Sequence, residues 1–269
     1  MIEGPAASYL FYVGVFAESS LSKGECVMAE SPLFYQNIVP LDRARHRDLR
    51  LVRDKRPVAF AATSHVIPAV VDEFAAAARF LPILFIPAAP HPSPVFLVGT
   101  KTGQNLYVDG DGKWIEPYVP AFVRRYPFML GTPEGASPVI CVDDKYEGLR
   151  QKDVGERLFA EDGAETPLLQ DYAKLTEIYF AAAKRTETFL ETLTALQLLR
   201  SVTVEIRSET GASTALHGFQ TIDEARLNAL PDADFLKLRA GGFLPALYAH
   251  LFSLTAVDRL RQLSAPAKA

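Results

Sequence analysis

LPILFIPAAPHPSPVFLVGTKTGQNLYVDGDG, residues 81–112, is the stretch on which the fold class turns. Leu81–Ile86 and Val95–Val98 are short apolar runs bounded by prolines, and they read as two strands joined by the Pro-rich loop 87–94. Asn105–Val108 reads as a third strand, ending in the turn Asp109–Gly112. Short apolar runs punctuated by Gly, Asp and Pro are the pattern of an antiparallel meander. Pro82 is then confined to a strand start or an edge.

Upstream, Ser64–Val70 reads as extended chain and Asp72–Phe80 as a helix, with acids in its first turn. Downstream the texture becomes helical. Thr166-Pro167 opens a long amphipathic pattern that runs to Leu199, with Leu169, Tyr172, Tyr179, Phe189 and Leu193 among its apolar positions. Val202–Ile206 and Ala215–Ile222 make a β pair around Gly211, a short helix follows at Asp223–Leu230, and Asp234–Leu263 is helical with a break near Gly241-Gly242. The expected class is α+β: a mostly antiparallel sheet in the first half, with helices of the second half packed on it. A division near residue 150 is the alternative to one domain.

Residues 1–28 are set apart as an N-terminal extension, leaving 29–269 as the expected domain. Tyr9–Ala17 mimics a signal-peptide apolar region, but Met1–Glu3 carries an acid and no base, where a secretory leader has positive charge. Lys23-Gly24-Glu25 must be encoded by AAR-GGN-GAR, a purine-rich run of ribosome-binding type just before Met28, so Met28 is the expected start.

A formal charge of −4 argues against sequence-independent nucleic-acid binding. No apolar window reaches membrane-spanning length. Cys26 and Cys141 are too few and too far apart for a disulfide framework or zinc site, so a reducing cytoplasmic setting is expected. GxSxG, Walker and GxGxxG patterns are missing from the chain. No catalytic residue, metal or cofactor is therefore expected. Asp109 and Asp111 in DGDG lack the further ligands of a calcium loop, and a hairpin turn is the simpler reading. His46 lies four residues after Asp42, within reach across one helical turn, and His250 lies beside the apolar face of the last helix as a hydrogen-bonded, partly buried histidine.

Residues 109–128, DGDGKWIEPYVPAFVRRYPF, hold the only tryptophan and an adjacent arginine pair. Tyr118, Phe122 and Tyr126 fall at i, i+4 and i+8, one face of a short helix ending before Pro127. These aromatics are either plain core, or the lining of a pocket with Arg124 and Arg125 at its mouth. Adjacent helical residues point about 100° apart, so one arginine faces the pocket while the other faces water or an acid. A pocket arginine suits a carboxylate by bidentate hydrogen bonding. Trp114, Tyr118, Arg124, Arg125, Tyr126 and His46 are accordingly the candidate ligand-binding residues.

Pro40-Leu41 with His46, Phe80–Phe85, Gly103–Tyr107, Asp111–Trp114, Tyr118–Phe128, Gly218-Phe219 with Ile222–Glu224, and Gly242–Leu254 together resemble the SapC family of bacterial proteins. The resemblance implies association with a paracrystalline surface layer, and genes neighbouring outer-membrane (TonB-dependent) nutrient receptors and halogenase-like enzymes. It carries over no catalytic residue. The expected function is a non-enzymatic accessory protein whose partner is a peptide, an amino-acid-like ligand or an envelope protein. The alternative is an enzyme acting on a small carboxylate-bearing substrate anchored by Arg124 or Arg125.

Overall fold

The computed structural model describes residues 14–15, 32–52, 56–132, 137–150, 154–207 and 213–264. Apart from Gly14–Val15, the N-terminal extension and its expected start at Met28 lie outside the described residues, as does the turn at Gly211. The fold is α+β with antiparallel sheets and several helices. Contacts divide the chain into two compact units, Val58–Pro120 with Ala182–Ala269, and Phe11–Pro57 with Ala121–Ala181. The chain crosses between the units at 57/58, at 120/121 and, inside the long helix, at 181/182.

The first unit holds a five-stranded antiparallel sheet in the order Leu199–Arg207, Ser213–Ile222, Ile83–Ile86, Ser93–Leu97, Val66–Pro68. Ile83–Phe85 and all of Ser93–Leu97 are buried. Covered on both faces, these strands read as continuous apolar runs instead of an alternation. Pro68 takes the edge strand, where a missing N–H is tolerated. The hairpin from the second half joins this same sheet through Gln220 opposite Phe85, so the sheet draws on both halves of the sequence. Asn105–Val108 does not add a strand. Asn105 donates from its side chain to the Ala61 carbonyl at 3.0 Å and accepts the Tyr107 N–H at 2.9 Å, a local turn that competes with ladder pairing. Only the Val108–Trp114 bridge forms, around a turn with Gly112 at φ +68°.

The long helix spans Pro167–Ala195, with Leu169, Thr176, Tyr179, Thr186, Phe189 and Leu193 buried at intervals of three, four and seven residues. It stops four residues short of Leu199. Gln197 adopts φ +50°, its N–H bonds the Thr194 carbonyl, and the Leu198 N–H reaches back to Leu193. That bond pair is a Schellman ending, usually built on glycine, and Gln197 gives no glycine to read.

The second unit has a four-stranded sheet, Gly14–Val15, Phe128–Thr132, Val139–Asp143, Ile38–Pro40, in which only the Gly14–Val15 pairing is parallel. A three-stranded sheet, Glu156–Arg157, Arg50–Leu51, Leu149–Arg150, packs Leu49, Leu51 and Leu149 against Phe128, Val142 and Leu169.

His250, on the helix Leu244–Ser253 of the first unit, is fully buried. Its Nε2 accepts the Ile222 N–H at 3.2 Å and sits 2.9 Å from Thr221 Oγ1. Burial lowers its pKa to about 3, so the ring is neutral in the fold. The unfolded chain binds a proton there near pH 6.5 and the folded chain does not, so stability falls as pH drops below that value. Urea titrations from pH 7.5 to 4 are expected to show this loss, with a contribution from His250 of up to about 1.4 kcal/mol per pH unit. His250→Gln is expected to flatten the acid limb, and an unchanged limb refutes the assignment.

Candidate functional site

Pro120 decides the local chain path through the aromatic-rich stretch. Its ring cannot continue a helix from preceding residues but suits a helix start. The helix is therefore the single turn Ala121–Arg124, and the expected run from Tyr118 to Tyr126 does not form. Tyr118 leaves the ladder. Its hydroxyl donates to Glu73 Oε1 at 2.6 Å within the first unit, where Glu73 is buried. Trp114, also in the first unit, stacks on Tyr107 with centroids 5.6 Å apart.

Arg124, Arg125, Tyr126 and His46 belong to the second unit. Arg124 is exposed, while Arg125 is 2% exposed. The expected divergence of the two neighbours is what the turn produces. The Arg125 guanidinium carbon lies 4.2 Å from the Tyr179 ring centroid, 4.5 Å from Phe122 and 5.7 Å from Tyr35. Cation–π attraction of this kind compensates part of the lost hydration. It leaves the in-plane donors unserved: Nε and Nη2 of Arg125 are buried and have no hydrogen-bond partner among the described residues.

Beside this cage, Tyr126 and Tyr35 pack edge to face with centroids 5.1 Å apart. The Tyr126 hydroxyl donates to Asp143 Oδ2 at 3.0 Å, and Tyr35 donates to the Phe128 carbonyl at 2.7 Å. Asp143 is fully buried. Its Oδ2 also accepts the Gln36 N–H at 2.9 Å, and its Oδ1 accepts those of Asn37 at 3.0 Å and Lys145 at 3.1 Å. Burial, with the Asp143 charge behind it, pushes the Tyr126 phenol well above its usual range. Burial pushes Tyr35 to about 12 against the opposing pull of Arg125. Both phenols are protonated donors at neutral pH.

His46 is buried, and its Nδ1 accepts the Asp42 N–H at 2.9 Å while Asp42 Oδ1 accepts from the Arg45 N–H. Burial and then the Arg45 charge lower its pKa. It serves a turn, as a capping histidine does. Asp109 likewise closes the DGDG turn, its Oδ1 accepting the Lys113 N–H at 2.8 Å. Among the described residues no group of three or more His, Cys, Asp and Glu is placed to hold a metal ion. No single helix there is long and apolar enough to cross a membrane. The first unit also carries a groove of about 290 Å³ where Gly218, at φ +84°, makes a bulge that sets His217 Nδ1 3.2 Å from Thr203 Oγ1.

No local sequence pattern marks Tyr35 or Asp143. Tyr179 was visible only as one apolar position of the long helix. No local spacing connects these residues to Arg125.

Tyr126→Phe deletes one hydrogen bond to a buried carboxylate and is expected to cost about 1.5–3 kcal/mol. Chemical denaturation at pH 7 measures it, and a loss under about 0.5 kcal/mol would show that the Asp143 network does not depend on the phenol.

The family model described as SapC matches residues 41–260. Neither a curated protein nor a solved structure matches the chain.

Proposed function

This chain belongs to the SapC family, and from that premise we propose that it is a non-enzymatic accessory protein that holds a peptide or amino-acid-like ligand with Arg125 as anchor. One observation carries the reading: a buried guanidinium whose Nε and Nη2 find no acceptor among the described residues. Leaving charged donors unsatisfied costs more than leaving neutral ones. A bound anion relieves that cost, and the rings of Tyr35, Phe122 and Tyr179 would form an apolar wall beside it. Such a protein fits a role in nutrient uptake or at the cell envelope, with an envelope protein as the further partner, and the cytoplasm is its proposed site of action.

An enzyme anchored on Arg124 or Arg125 needs a titratable group poised beside the substrate. His46 and His250 each spend a ring nitrogen on a backbone N–H and are held neutral by burial, which favours binding over catalysis.

Thermal unfolding of the full chain with the free amino acids and a dipeptide set tests the reading. At least one compound is expected to raise the midpoint of the wild type and leave Arg125→Met unmoved. If Arg125→Met lowers the midpoint but keeps the ligand response, Arg125 is a structural residue and the proposal fails.

A further inference from the structure

We infer that the group Arg125 takes is one planar carboxylate, gripped side-on by Nε and Nη2, so that the ligand is a free amino acid or the C-terminal end of a peptide and not an internal peptide segment. This rests on the ligand-binding reading above and narrows it.

Nε–H and one terminal N–H of a guanidinium point in parallel, at a spacing that matches the two oxygens of a carboxylate. In Arg125 the orphaned donors are Nε and Nη2. Arg185 shows the same edge in use within this protein: its Nε donates to Asp72 Oδ1 at 3.0 Å and its Nη2 to Asp72 Oδ2. Arg185 makes that grip at the surface with an acid of its own chain.

Among the described residues Arg125 has no such acid to hand. The buried carboxylate of its unit, Asp143, has two donors on each oxygen, from the Gln36, Asn37 and Lys145 N–H groups and the Tyr126 hydroxyl. The aromatic rings serve the π face of the guanidinium and offer no lone pair to its in-plane hydrogens. With no acceptor for that edge among the described residues, the partner that suits it is a flat, two-oxygen anion supplied by a ligand.

A peptide amide presents one carbonyl oxygen and no charge, so it satisfies one of the two donors and leaves the guanidinium uncompensated. A tetrahedral oxyanion can also meet two donors, but it is bulkier out of the plane, where the rings stand. Among the described residues Arg125 is the one buried Arg or Lys, so the site neutralises a single charge.

Calorimetry of the full chain separates the possibilities with four probes: acetate, N-acetyl-phenylalanine, its C-terminal amide, and methylphosphonate. The two carboxylates are expected to bind, and the amide to bind at least about tenfold more weakly than its parent acid. Methylphosphonate is expected to be weaker than acetate. Arg125→Met and Arg125→Lys are expected to lose the preference for acid over amide, lysine because it lacks the paired edge. Circular dichroism confirms that each variant is folded, and the acid–amide comparison on the wild type stands without them. Equal affinity for acid and amide, or a phosphonate preference, overturns the carboxylate assignment while leaving a small-molecule site in place. No response to any probe overturns the ligand-binding reading and this inference with it.

Discussion

Moving a guanidinium from water into a protein interior is costly unless π faces, hydrogen bonds or an opposite charge replace its hydration. In the second unit Arg125 makes that transfer with rings alone among the described residues. Tyr179 arrives from the long helix, Phe122 from the turn that carries the arginine, and Tyr35 from the segment leading into the strand Ile38–Pro40. Three separate segments thus depend on one cation for their packing. The same arrangement leaves the two in-plane donors as the strongest unmet demand for an acceptor, and the functional reading grows from that imbalance.

Asp143 is the counterpart that does find its partners. It ends the strand Val139–Asp143, and its carboxylate ties the backbone of Gln36 and Asn37 to the Tyr126 hydroxyl. Four donors on a fully buried carboxylate hold the anion with no contacting cation among the described residues. The buried carboxylate is held by hydrogen bonds, whereas the buried guanidinium is held by aromatic faces with two donors left unpaired among the described residues. Their fields meet at Tyr35, where Arg125 lowers and Asp143 raises the pKa of the phenol.

The first unit follows a plainer logic. Its central strands are buried on both faces, and a hairpin more than a hundred residues downstream completes the sheet at one side. Pairing across such a separation carries a loop-closure cost that only burial of apolar surface offsets. Asn105 shows the limit of the meander pattern. A segment with good strand composition was diverted by one side-chain amide that bonds both the Ala61 carbonyl and the Tyr107 N–H.

The chain by itself determined what depends on near neighbours. Proline-bounded apolar runs gave the strands at Ile83–Ile86 and Ser93–Leu97, Thr166-Pro167 marked the start of the long helix, and Asp109–Gly112 declared its turn. The α+β class and the family were legible there. Tertiary structure alone decided that Arg125 is the buried member and Arg124 the exposed one, that Tyr118 turns to Glu73, and that Tyr35, Tyr179 and Asp143 surround the motif. Periodicity reports which side of an element is apolar, but not which distant element will cover it. A buried charge is placed by groups far away in sequence, and no local pattern encodes their meeting.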